Sequence, residues 1–131
     1  MSIADVREAA AAALVSIDGL RASAYLRDQV SPPEAQIDYD VDYNQDFDGG
    51  AKFDLSVLVF LQRTSEKASQ KFIDDLRDPT SETGIKYVLE HDAGLHAVVD
   101  YIQVTSSNRL VEAVIGTVSY LLCVFTCEVV L

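Results

Sequence analysis

A chain of 131 residues, 49% hydrophobic and 24% charged, has room for one domain with a real core and is too apolar for disorder. Its net charge of −11, from 21 acidic against 10 basic side chains, argues against affinity-driven binding to nucleic acid or anionic lipid, both of which need basic surface. It permits repulsion of DNA or docking to a basic partner.

Residues 2–17 read as an amphipathic helix. Ser2 can cap it, with Asp5 completing a capping box, and Ile3, Val6, Ala10, Ala13, Leu14 and Ile17 recur at helical spacing. Gly19 is its natural stop. These first residues lack a basic region followed by an apolar run, so no secretory leader is expected. Arg21–Leu26 is a short extended segment. Arg27–Pro33 is a loop, in which Ser31-Pro32-Pro33 forces extended backbone.

A strand begins near Glu34. Asp38, Asp40 and Asp42 alternate with Ile37, Tyr39, Val41 and Tyr43, so the carboxylates share one face. Asn44–Gly50 is a turn, with Asp48-Gly49-Gly50 as its signal. Lys52–Gln62 returns, with Phe53, Leu55, Val57, Val59 and Leu61 inward. Residues 34–62 form a long β-hairpin that carries much of the charge imbalance: seven acids and one base lie between Glu34 and Asp54. The Asp-rich frame from Asp40 has Gln45 where a calcium loop of the EF-hand type needs glycine, and it has no flanking helices, so no metal is expected.

Thr64 or Ser65 starts a second helix, with Ala68, Phe72, Ile73 and Leu76 as its apolar face and Pro79 at its end. Ser81 starts a third, shorter helix, with Ile85, Val88 and Leu89 inward and Gly84 weakening it. Gly94 falls in a loop. Val98–Thr105 and Leu110–Ile115 read as strands around a turn at Ser106–Arg109, and Gly116 marks a bulge or bend.

The last stretch, Gly116–Leu131, is apolar on both alternating faces. One carries Ser119, Leu121, Cys123, Phe125, Cys127, Val129 and Leu131; the other carries Val118, Tyr120, Leu122, Val124, Thr126, Glu128 and Val130. Its Val, Thr, Tyr and Phe content favours a strand at the centre of the sheet. Both faces then need cover, from the chain's own layers or from a neighbouring subunit. A membrane helix fails on length, since fifteen residues separate Glu112 from Glu128, below the roughly 18–20 a span requires. The fold class is therefore α+β, one domain over residues 1–131: a largely antiparallel or mixed sheet of about five strands, with helices packed on it and a long hairpin.

Chemistry is sparse. The two histidines, His91 and His96, flank a loop at a spacing that suits neither a helical nor a strand metal pair. Cys123 and Cys127 read as two buried thiols, too far apart on one strand for a disulfide. There is no phosphate loop, no nucleophile elbow and no Cys-x-x-Cys. The residues predict no catalytic site and no cofactor.

The order of segments and several phrases resemble the tail terminator proteins of long-tailed bacteriophages that infect actinobacteria. The phrases are Gly19-Leu20-Arg21-Ala-Ser-Ala-Tyr25, Ser31-Pro-Pro-Glu-Ala35, Leu76-Arg-Asp-Pro79 with Ser81 and Ile85-Lys86 after it, Val99-Asp-Tyr-Ile-Gln-Val104, and Gly116-Thr with Tyr120, Phe125-Thr126 and Glu128-Val129. The resemblance spans almost the whole chain, and the joint order carries it. It implies a lambda-type terminator: a small α+β subunit, hexameric as a ring, that caps the tail tube, stops its polymerisation and presents a head-joining surface. Its partners are then other copies, the major tail tube protein and a head-completion or neck protein. DNA passes the lumen without specific binding, no membrane is involved, and the location is the head-proximal end of the virion tail, assembled in the host cytoplasm.

A ring needs apolar surface that one subunit cannot bury alone. The two-faced terminal strand and the hairpin aromatics Tyr39, Tyr43, Phe47 and Phe53 are candidates. With Asp38, Asp40, Asp42, Asp46 and Asp48 they form the expected interface or lumen set. The acidic row faces either the lumen, where it repels passing DNA, or a basic patch of a neck or tube protein. Two other readings stand beside the terminator: a head-completion or neck adaptor of the same virion, and a small cytoplasmic binding module or enzyme using the acidic hairpin.

Overall fold

The computed structural model describes residues 2–41, 52–63 and 66–131. Helix α1 (Ile3–Val15) opens on the expected capping box. The Ser2 hydroxyl accepts from the Asp5 amide at 3.2 Å, and the Asp5 carboxylate accepts from the Ser2 amide at 3.1 Å. Val6, Ala10, Ala13, Leu14 and Ile17 are buried beneath it. Gly19 then reverses the chain at φ +83°, a conformation that suits glycine.

Strand β1 (Arg21–Ser23) runs parallel to β2 (Glu34–Asp40), which pairs antiparallel with β3 (Lys52–Gln62). The long hairpin is therefore real, although its turn, Asn44–Gly50, lies outside the described residues. Phe53, Leu55, Val57, Val59 and Leu61 are all buried on one face of β3, as the alternation predicts.

Helix α2 (Glu66–Arg77) buries Ile73 and Leu76 and half-buries Phe72. Its expected caps, Thr64 and Ser65, lie outside the described residues. Ala68, expected inward, is exposed; Ser69 is buried instead and donates to the Gln62 carbonyl at 2.9 Å. Helix α3 spans Ile85–His91 and does not start at Ser81. The Ser81 hydroxyl donates to Asp75, and Gly84 is the N-cap. A Cβ at position 84 would sit 2.8 Å from the Asp78 carbonyl and 3.1 Å from those of Asp75 and Ser81. The glycine that weakens a helix interior is required here for close approach. Gly94 lies in a further helical turn, α4 (Ala93–His96), where a loop was expected; the Asp92 carboxylate accepts from the Leu95 amide and buries Leu95.

Strands β4 (Tyr101–Ser107), β5 (Val111–Ile115) and β6 (Val118–Val130) follow. β4 starts three residues later than the sequence predicts and continues through a bulge at Thr105. Gly116 is no bulge. Ile115 pairs with Val118, so Gly116 and Thr117 form a two-residue hairpin turn, with glycine at φ +64° in its first position.

The open sheet has six strands in the order β1-β2-β3-β6-β4, with β5 also on β6. Among the described residues, only the β1–β2 pair is parallel. β6 pairs along its length with β3 on one side and with β4 and β5 in succession on the other. That is the central place its two-faced sequence predicts. The helices pack on each other and on one sheet face, around a core that includes Leu14, Ile37, Val57, Leu89 and Phe125. The class is α+β.

Candidate interaction face

Alternation divides β6 between two environments. Cys123, Phe125, Cys127 and Val129 point under the helices and are buried, whereas Tyr120, Leu122, Val124, Thr126, Glu128 and Val130 on the other face are half-exposed. No described helix packs on that second face.

The pairing register orders the outer face into rows. Asp40, Asp54, Glu128 and Gln103 are successive cross-strand partners on β2, β3, β6 and β4. The next row is Asp38, Ser56, Thr126 and Ser106. Then come Gln36, Leu58 and Val124, and then Glu34, Phe60, Leu122 and Val111. The face therefore grades from carboxylates at one end, through hydroxyls, to aliphatic side chains at the other. Lys52 reaches Glu128 at 3.1 Å.

One corner of this face is closed by the segment that follows β1. The Arg27 guanidinium donates to Glu34 at 2.7 Å, Gln36 donates to the other Glu34 oxygen at 3.0 Å, and the Arg27 amide donates to Gln36 at 3.3 Å. Glu34, Gln36 and Phe60 are buried beneath it, and Phe60 meets Tyr120 edge-on with ring centres 6.1 Å apart. Arg7 of α1 fixes the same segment from the helical side. It donates to the Ala24 and Ile37 carbonyls, both at 2.7 Å, and lies over the rings of Tyr25 and Tyr39. Beyond that corner no described helix covers the outer face, and Tyr101, Val111 and Val118 on it are exposed.

Among the described residues, the predicted set is divided between the two faces of the sheet. Asp38 and Asp40 lie on the outer face, with the Tyr39 amide donating to Asp38 at 2.9 Å. Tyr39 points the other way, edge-on to Phe53 and under Arg7. Phe53, expected at an interface, is only 2% exposed and belongs to the core. Asp42, Tyr43, Asp46, Phe47 and Asp48 lie outside the described residues. The acidic row is instead extended by Asp54 and Glu128, which a reading of the hairpin alone misses. Their signal in the sequence is a carboxylate on the outer alternation of each strand; only the register shows that they are neighbours.

The remaining polar groups have local roles. His91 stacks on Tyr87 with ring centres 4.1 Å apart and meets its carbonyl through Nδ1, while His96 meets the Glu90 carbonyl. Cys123 donates to the Asn108 carbonyl, and burial pushes its thiol pKa up. Burial pushes Cys127 up to about 12, with Glu90 and Asp54 adding to the shift against Lys86. Among the described residues, no group of three or more His, Cys, Asp or Glu side chains is placed to hold a metal ion. Nor is any described helix long and apolar enough to cross a membrane.

A cavity of about 160 Å³ beside β4 contains Arg77 and Lys86. Both are engaged locally, Arg77 with Ser107 and Lys86 with Glu90 and the Val104 carbonyl. Compared with protein-family models and with curated proteins, the chain matches none.

Proposed function

We propose that the chain is a structural virion protein, a tail terminator whose copies close into a hexameric ring. The ring caps the tail tube, ends its polymerisation and offers the surface to which the head joins. The reading joins the family resemblance of the sequence to one observation: the outer face of the central strand, where Leu122, Val124 and Val130 are half-exposed with no described helix above them. An aliphatic face flanked by charge suits burial against another polypeptide better than permanent contact with water.

Absence of this chain from a phage that encodes it leaves tubes of uncontrolled length and heads without tails. Supplying it in trans restores both. Tails of normal length in its absence would overturn the reading. The acidic row separates lumen from docking. Substituting Asp38, Asp40 and Asp42 together by Asn abolishes head joining with the ring intact if the row docks on a basic neck protein. It leaves joining normal and slows DNA ejection if the row lines the lumen.

A further inference from the structure

Resting on the ring reading, we infer that the outer sheet face of one copy receives α2 of the next, through Lys67, Ala68, Lys71 and Phe72. Two surfaces on opposite sides of the chain are complementary. The sheet face is aliphatic around Leu58, Leu122 and Val124 and acidic at Asp40, Asp54 and Glu128. Helix α2 presents the converse. Lys67 and Lys71 are exposed one turn apart, beside exposed Ala68 and half-buried Phe72. Neither lysine makes an ion pair among the described residues. Glu66 opens the helix before Lys67, and its other carboxylates lie further along: Asp74 is exposed, and Asp75 accepts from Ser81 and Thr83.

Ala68 and Phe72 also line a shallow apolar cavity of about 300 Å³ with Pro33 and Leu61, so α2 leaves a seam of its own underside uncovered. Stacking sheet face on sheet face would bring two acidic rows into one interface and is opposed by charge. Helix on sheet pairs lysine with carboxylate and apolar with apolar. Because the two surfaces lie on opposite layers, the contact is head-to-tail, the kind that closes into a ring.

Sedimentation of the full chain over a concentration series, at low and at high salt, tests the contact. Wild type self-associates, and more strongly at low salt. Lys67→Glu with Lys71→Glu weakens association about tenfold or more, and so does Asp54→Lys with Glu128→Lys, each in a chain that still melts cooperatively. Mixed together, the two doubly substituted chains recover association as alternating copies, because both contacts between unlike chains again pair lysine with carboxylate. A variant that melts early is replaced by Lys67→Ala with Lys71→Ala, which must weaken association in the same direction. Wild type that stays monomeric at every concentration, association indifferent to the lysines, or a mixture that stays monomeric each overturns the inference. None of these outcomes touches the tail-length phenotype, which tests the terminator reading separately.

Discussion

Asp54 on β3 and Glu128 on β6 are direct cross-strand partners, and Asp40 on β2 is the partner of Asp54 on its other side. Like charges placed directly opposite destabilise a sheet by a few tenths of a kcal/mol. Within the chain Lys52 answers Glu128 at 3.1 Å. Asp54→Asn removes the middle charge and leaves that bridge in place. The isolated chain should gain about 0.3–0.5 kcal/mol at low ionic strength and less in high salt. Urea midpoints at the two salt concentrations check this.

The corner of the outer face depends on Arg27. Its partner Glu34 is 1% exposed, and the guanidinium meets one carboxylate oxygen while Gln36 meets the other. Breaking a fully buried pair costs about 3–5 kcal/mol. Arg27 is itself half-exposed, so Arg27→Ala should cost less, about 2 kcal/mol. Glu34→Gln keeps an acceptor and removes the charge, and should cost less than Arg27→Ala. Chemical denaturation of the two variants gives the order.

Gly84 sits where the end of α2 meets the start of α3. A methyl group there meets three carbonyl oxygens, the nearest 2.8 Å away, and backbone cannot yield as a flexible side chain does. Gly84→Ala should therefore destabilise by about 2 kcal/mol although alanine is the better helix former. Gly116→Ala meets no atom within 4 Å but must hold φ +64°, and should cost about 1 kcal/mol. Thermal midpoints compare clash with strain.

The buried thiols make stability fall in alkali. Burial raises the Cys127 pKa from 9.0 in the reference thiol to about 12. The unfolded chain thus loses its proton first, and the native state binds more protons between those values. Stability is fully present below pH 9 and falls between about pH 9 and 12. A single such group contributes a slope approaching 1.4 kcal/mol per pH unit. Cys127→Ala should flatten the alkaline limb of a plot of urea midpoint against pH, and native Cys127 should resist thiol reagents until the chain unfolds.

Local signals placed most of the fold. The Ser2/Asp5 capping box, the stop at Gly19, the inward row of β3 and the two-faced β6 follow from spacing and side-chain chemistry alone. What went astray were features set by distant partners. Gly84 is a helix cap because Asp75, Asp78 and Ser81 crowd it, and nothing within its own segment says so. Ala68 and Ser69 exchange expected places because a Gln62 carbonyl lies beside Ser69. The acidic row was legible as far as Asp38 and Asp40; joining Asp54 and Glu128 to it requires the register of three strands. Alternation alone puts Phe53 on the inward face of β3, where it lies; only its aromatic ring near the turn suggested an interface.

The most direct measurement is the length distribution of tail tubes, imaged by electron microscopy, when the major tail tube protein of the proposed phage polymerises with and without it. Wild type should shorten the tubes and leave a ring at one end, while Leu122→Asn with Val124→Thr, altering only the bare face of β6, should do neither. Tubes of the same length with wild type present, and no ring at their ends, would contradict the account.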